Sequence, residues 1–423
     1  MAVLIDVLIV GGGPAGLEAA LRLWEKGIRD LLIVDRNPEL GGILNQCIHD
    51  GFGLISFGKA LTGPEYAAVF VNEVKKRKIP YLENTAVLHL SENKTAVVCS
   101  PAGVEEYQAK AVILAMGCRE RSLGALAIPG TRPSGIYTAG LAQKYINLQN
   151  TMIGKEAVIL GSGDIGLIMA RRLTLEGVHV KAVFELMPFA NGLPRNIAQC
   201  LDDYEIPLYL GETVTEIRGK SRLESVIVHK VDVHGRPIEG TGKEVSCDTL
   251  ILSVGLLPEN ELAREAGIRI DSLTQGAVVD VHFQTSVPGI FAAGNVLHVH
   301  DLADDVSDEA KRMADAAAWY VKHGSLSECR IRVSAGAGIA NVVPHKASSE
   351  QDAELAFRVK KPIEDAVLYI TQNDAVLGRK KYQKLLPAVM ERVILPKEKL
   401  LGNTGQIQVF LSETVAAGKD KEV

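Results

Sequence analysis

Two stretches of this chain repeat one another at an offset of 150 residues, and no other feature narrows its fold as much. The first reads Val7-Leu8-Ile9-Val10 and then Gly11-Gly12-Gly13-Pro14-Ala15-Gly16. The second reads Val158-Ile159-Leu160 and then Gly161-Ser162-Gly163-Asp164-Ile165-Gly166. Each is an apolar run, a G-x-G-x-x-G turn and a stretch with the apolar spacing of an amphipathic helix. Each is followed by a second apolar run ending in an acid, Asp35 in one copy and Glu185 in the other. Gly11 to Asp35 is 24 residues, and so is Gly161 to Glu185.

The spacing has a geometric reason. The first glycine permits a tight strand-to-helix turn, and the second lets backbone approach a pyrophosphate. The third allows close helix–strand packing, so that the helix presents its free N–H groups to phosphate. The acid closing the next strand accepts hydrogen bonds from ribose hydroxyls. One such turn alone is a weak signal; strand, turn, helix and acid in register twice predict two dinucleotide sites, against the alternative of decayed structural copies. Both halves then continue alike. Residues 86–98 and 104–116 read as hairpin strands ending in Ala115-Met116-Gly117, and 225–255 does the same, ending in Ser253-Val254-Gly255. Later comes Pro288-Gly289-Ile290-Phe291-Ala292-Ala293-Gly294-Asn295.

Composition removes other classes. At 423 residues the length suggests about three domains, and 47% hydrophobic with 23% charged residues excludes wholesale disorder. The formal net charge of −5 carries no basic stripe, so a nucleic-acid partner is not expected. No apolar run reaches the roughly 18 residues of a membrane span. MAVLIDVLIV reads as a first strand, not as a targeting segment. The six cysteines (Cys47, Cys99, Cys118, Cys200, Cys247, Cys329) form no C-x-x-C or other local pair. Reduced thiols and a cytoplasmic setting are therefore expected, without a clustered iron–sulfur site.

The combined motifs over about residues 1–325 resemble the two-dinucleotide-binding flavoproteins that include the pyridine nucleotide–disulfide oxidoreductases. The resemblance implies FAD at the first site and NAD at the second. It places Gly11, Gly13, Pro14, Ala15 and Gly16 on the FAD pyrophosphate, and Asp35 with Arg36 at its adenosine ribose. Gly41, Gly42 and Ile43 would line the flavin entry. Val87, Ala115, Met116 and Gly117 would flank the cofactor, with Gly294 and Asn295 at its ribityl–phosphate region. For NAD it implies Gly161, Gly163, Asp164, Ile165, Gly166 and Glu185, with Val254 and Gly255 at the closing strand. Two departures stand out. Asn295 replaces the usual Asp, and Ile43-Leu44-Asn45-Gln46-Cys47-Ile48-His49 keeps only one cysteine where disulfide reductases carry two five apart. Disulfide reduction is therefore not expected.

A narrower resemblance lies in GGILNQCIHDGFG, LTGPEYA, GCRERSLGALAIPGTRPSGIYTAG and GNVLHVHD. These segments are similar to the FAD/NAD-dependent oxidoreductase subunits that accompany anaerobic-type glycerol-3-phosphate dehydrogenases. Related chains are the FAD-binding subunits of dye-linked amino-acid dehydrogenases, opine oxidases and hydrogen cyanide synthase. The resemblance implies hydride transfer between NAD(H) and FAD, with electrons exchanged with a partner flavoprotein dehydrogenase. The alternatives are a FAD/NAD-binding subunit of a dye-linked amino-acid or opine dehydrogenase, a stand-alone NADH oxidase and a non-catalytic scaffold that holds dinucleotides, and a homo-oligomer is compatible with each.

The expected fold class is α/β. Two Rossmann-like domains with β-meander inserts, FAD-binding at 1–124 with 256–330 and NAD-binding at 125–255, precede a small all-β domain at 331–423. In that tail AELAFRV, AVLYITQ, VMERVIL and QIQVFLS read as strands of a sandwich, and AAGKDKEV as a fraying end. Thr62-Gly63-Pro64 opens one helix. Ala310, Met313, Ala314, Ala317 and Val321 space another, whose positive end the resemblance aims at the flavin. Candidate chemical residues are Cys47, His49 and His300, each against a plainer reading as ring-lining or core side chains. Arg119, Glu120 and Arg121 read as structural ion pairs. His298 and His300 have metal-like spacing, but no third ligand is near in sequence, so no metal is expected.

Overall fold

The computed structural model describes residues 2–413. The chain divides into two compact units: residues through Cys118 together with those from Pro258 onward, and Arg119–Leu257. The sequence reading sets its domain edges at 124/125 and 255/256; the first of these falls within the short helix Leu123–Leu126.

The first unit is built on a parallel core. Val3–Val10 lies between Leu31–Val34 on one side and Gly103–Leu114 on the other, parallel to both. Residues Val7 to Val10 and Leu31 to Val34 are buried, as strands covered on both faces must be. The 12-residue strand Gly103–Leu114 does two jobs. Its exposed first half pairs antiparallel with Thr95–Ser100, which pairs with Ala86–Leu90 to make the meander. Its buried second half pairs parallel with Ile290–Ala292. The fingerprint turn thus lies at the carboxyl end of a strand flanked on both sides, the switch point where such sheets bind ligands. The helix Pro14–Glu25 packs beside the 21-residue helix Ala303–His323, which buries the small face Ala310, Met313, Ala314 and Ala317.

The second unit repeats this plan. Its five-stranded sheet runs Leu208–Leu210, His179–Glu185, Glu156–Leu160, Thr249–Leu252, Ile136–Thr138, all parallel. A three-stranded antiparallel sheet, Glu212–Gly219, Leu223–Lys230 and Lys243–Ser246, forms the insert.

From Ile331 the chain is all β and encloses its own apolar core around Leu355, Phe357, Leu368 and Val409. One sheet has five strands and the other three. The four expected runs are strands. Four strands escaped the sequence reading: Ile331–Ala335, Ile339–Val343, the two-residue Lys346–Ala347 and Ala375–Leu385. The tail is tied to the rest of its unit by ion pairs, Arg358 with Asp301, Arg392 with Asp305 and Arg312 with Glu354. The AAGKDKEV end lies outside the described residues. No described helix is long and apolar enough to cross a membrane.

Candidate dinucleotide sites

The two fingerprints are clamped in the same way. Gly12 N–H donates to Asp35 Oδ2 at 2.7 Å, and Ser162 N–H donates to Glu185 Oε2 at 2.9 Å. The second carboxylate oxygen of each acid accepts the backbone N–H two residues on, from Asn37 and Met187, both at 2.8 Å. Each acid therefore fixes its turn. Ser162 adds its hydroxyl to Glu185 at 2.6 Å.

The strand ends explain why small residues stand there. Gly11 has φ +107°, and a Cβ on it would lie 2.4 Å from the Ala115 carbonyl oxygen; Gly161 has φ +96° and a Cβ would lie 2.1 Å from the Ser253 carbonyl oxygen. Ser253 Oγ also accepts Gly166 N–H at 3.1 Å. The strand ends at Ala115 and Ser253 are thus the backs of the fingerprint turns.

Gly13 is different. A Cβ there would meet only Gly42 Cα, at 3.9 Å, while the Gly13 and Ala15 N–H groups have no hydrogen-bond partner among the described residues. Open space beside unpaired donors at a helix N-terminus fits a pyrophosphate. The first site therefore suits FAD: Gly13 and Ala15 would hold its phosphates and Asp35 its ribose, and the flavin would supply hydride chemistry. Arg36 is exposed and pairs with Glu259 at 3.6 Å. Val87 and Met116 are half-buried against the core. Gly117 and Gly255 are positive-φ ends of their strands, and Val254 packs on the second unit's core.

Asn295 is engaged inside the chain: its Oδ1 accepts His300 N–H at 3.0 Å and its Nδ2 donates to Cys118 Sγ at 3.7 Å. An Asp could make the first bond but not the second, which gives the departure from the usual residue a local reason. Gly294 N–H donates to Glu309 Oε1 at 2.7 Å. On the other carboxylate oxygen, His298 Nε2 lies at 2.7 Å and His300 Nε2 at 3.3 Å. Burial pushes the His298 imidazole down. For Glu309 burial works upward, but His300 and His298 overcome it and hold the carboxyl well below its ordinary range. Glu309 is the third group that sequence spacing did not find for the histidine pair; all three offer ligand atoms within 4.8 Å of one another. The His300 side chain is buried. It packs beside Glu309, which holds the Gly294 turn.

Cys47 is buried, its Sγ 3.4 Å from the Ile43 carbonyl, and burial pushes its thiol up to about 12. None of the six cysteines is disulfide-bonded. His49 is half-buried against Phe52, with ring centroids 5.1 Å apart. Glu120 accepts Gly140 N–H at 2.7 Å. The loop that carries Cys47 and His49 is fastened from below by a residue the sequence did not single out. Asp304, in the first turn of the long helix, accepts Gly53 N–H at 3.0 Å and Ser56 N–H at 2.9 Å. With Asp305 beside it, the positive end of that helix is partly neutralised.

Comparison with known proteins agrees with this architecture. Residues 5–317 match the family Pyridine nucleotide-disulphide oxidoreductase. The chain is 26% identical to hydrogen cyanide synthase subunit HcnB of Pseudomonas protegens over 317 residues, 69% of this chain and 66% of that protein. It is 26% identical to the mitochondrial dihydrolipoyl dehydrogenase of Caenorhabditis elegans, covering 72% and 66%. It thus spans just under two thirds of these relatives. The crystal structure of T. acidophilum thioredoxin reductase superposes with a TM-score of 0.62 at 23% identity, over 75% of this chain and 98% of that one. That likeness shows the two-dinucleotide-binding fold. The chain belongs to the pyridine nucleotide-disulphide oxidoreductase family, whose members use FAD and NAD(P)H.

Proposed function

We propose that this chain is a FAD-dependent subunit that moves a hydride between NAD(H) and FAD and exchanges electrons with a partner flavoprotein dehydrogenase. The observation that carries the reading is the pairing of two intact, acid-clamped fingerprints with a single buried, protonated cysteine in the segment after Gly42. A dithiol relay needs a second sulfur and a reactive thiolate, and Cys47 offers neither. The reading is therefore not a disulfide reductase. Glu185 supports NADH over NADPH, because its carboxylate would repel a 2′-phosphate and Leu186 to Ala190 contain no base to offset it. The expected preference is roughly tenfold to a hundredfold.

Ile43, Ile48, Leu54, Ile55 and Phe57 are exposed along the loop after Gly42. Exposed apolar side chains beside the expected flavin entry support contact with a second protein. We place glycerol 3-phosphate as the partner's substrate, on the narrower resemblance of the four segments quoted above, and the complex in the cytoplasm. The likeness to a hydrogen cyanide synthase subunit favours one second reading, a dinucleotide-binding subunit of a dye-linked amino-acid or opine dehydrogenase. The test assays the isolated chain with glycerol 3-phosphate and an artificial dye, then with the candidate partner added. Activity is expected only with the partner; full-rate oxidation by the isolated chain would overturn the two-subunit reading.

A further inference from the structure

His298, His300 and Glu309 are the one group among the described residues whose His, Cys, Asp or Glu ligand atoms converge as those on a metal ion do. They come from two elements. The histidines follow the Gly294 turn, and Glu309 stands in the second turn of the helix Ala303–His323. None of the three side chains is more than 5% exposed. The backbone is already folded to present them: His298 N–H donates to the Gly294 carbonyl at 3.2 Å, and His300 N–H to Asn295 Oδ1 at 3.0 Å. Glu309 is oriented from behind. Its Oε1 accepts Gly294 N–H at 2.7 Å, which leaves Oε2 to both imidazoles. Outer hydrogen bonds of this kind orient a ligating carboxylate.

His300 separates a site from a simple hydrogen-bonded pair. His298 and Glu309 satisfy one another at 2.7 Å. His300 Nε2 lies 3.3 Å from the same carboxylate oxygen, yet neither of its ring nitrogens has a hydrogen-bond partner among the described residues. A buried polar atom left so is costly, and a cation on Nε2 would answer that nitrogen. Donor chemistry selects the cation. Two imidazole nitrogens and a carboxylate oxygen suit Zn²⁺ and its first-row neighbours, whereas Mg²⁺ and Ca²⁺ take oxygen ligands.

We infer that His298, His300 and Glu309 bind one divalent ion of the zinc class, which ties the Gly294–Asn295 turn to the long helix. Ligand atoms on a tetrahedral zinc ion stand about 3.3 Å apart. The spacing of His300 from Glu309 already matches. The His298–Glu309 pair must part by roughly half an ångström and exchange its hydrogen bond for the ion. A water takes the fourth position. Such an ion needs neither NADH nor a second protein, so this site and the proposed electron transfer fail separately.

The experiment strips the purified full chain with a chelator and titrates it with Zn²⁺ by calorimetry. Zinc-edge X-ray absorption is then recorded on the loaded protein. The natural chain is expected to take up one equivalent of Zn²⁺, to melt at a higher temperature with it, and to show two imidazole ligands. His300→Ala and Glu309→Gln are each expected to weaken binding about a hundredfold or more. Glu309→Gln keeps an acceptor for Gly294 N–H, so its effect reports the ion and not a lost turn. His323→Ala, at an exposed histidine on the same helix, is expected to bind as the natural chain does. A folded natural chain that takes up no stoichiometric Zn²⁺ would overturn the proposal. So would binding undiminished in His300→Ala, which would place the ion elsewhere. Should neither variant fold, the absorption spectrum of the natural chain decides: two imidazoles support the site, and sulfur ligands or no imidazole overturn it.

Discussion

The glycines of the first fingerprint serve two separable purposes, and substitution tells them apart. A Cβ on Gly16 would lie 1.9 Å from the Gly11 carbonyl oxygen, so Gly16→Ala strikes the fold itself. A side chain on Gly13 meets nothing closer than 3.9 Å within the chain and fills only the space a pyrophosphate needs. Gly13→Val is therefore expected to give folded, colourless protein, checked by circular dichroism and flavin absorbance; full flavin content would contradict the assignment. Glu18, on the same helix, shows a cost of packing. Burial raises its carboxyl to about 7, against the opposing pull of Lys311. A carboxyl raised on folding contributes stability below its unfolded value of 4.5 and loses it as pH climbs through about 7. Glu18→Gln should leave stability unchanged near pH 4.5 and gain on the order of 2 kcal/mol above pH 7, measured by urea unfolding across that range; an equal gain at both ends would contradict it. The glycine spacings were legible in the sequence because backbone geometry demands them. The Asp35–Gly12 and Glu185–Ser162 clamps were half legible: the acids were found by position, their hold on the turn was not. Glu309 was invisible beside His298 and His300 because helical folding, not sequence neighbourhood, brings it back to the Gly294 turn.

Among the elements, the loop between Gly42 and Thr62 depends on a helix more than 240 residues away in sequence. Asp304 holds the Gly53 and Ser56 N–H groups, while Phe57 packs on Tyr66 and Phe70 with ring centroids 5.5 and 5.9 Å apart. Asp304→Ala would strand two backbone donors at a cost of about 2–3 kcal/mol, confined to this loop. Amide exchange in residues 51–58 is expected to speed up while the sheet strands keep their protection; unchanged exchange would show that the aromatic contacts hold the loop unaided. The helices were legible from apolar period and end signals, as in the Thr62–Glu65 capping box, where Thr62 Oγ1 accepts Glu65 N–H at 3.4 Å and Thr62 N–H donates to the Glu65 carboxylate at 2.8 Å. The central strands were legible from continuous apolar runs. Ala375–Leu385 was not, because its residues are mostly polar and exposed, and pairing with Ile363–Gln372 makes it a strand. Ile331–Ala335 and Ile339–Val343 were obscured by the glycine-rich stretch between them.

For the whole molecule, one plan is used twice with unequal outcomes. Both units carry a parallel sheet and an acid-clamped turn, yet only the first adds the Gly294–Asn295 turn and the long helix. The duplication was legible in the sequence because glycines and acids recur at one offset. The measurement that bears most directly on this account is an anaerobic titration of the purified yellow protein with NADH, and in parallel NADPH, while the flavin's visible absorption is recorded. Bleaching is expected to be complete at one equivalent of NADH per flavin, and to be reached far more slowly with NADPH. A flavin that stays oxidised in excess NADH, or a protein that carries no flavin, would contradict it.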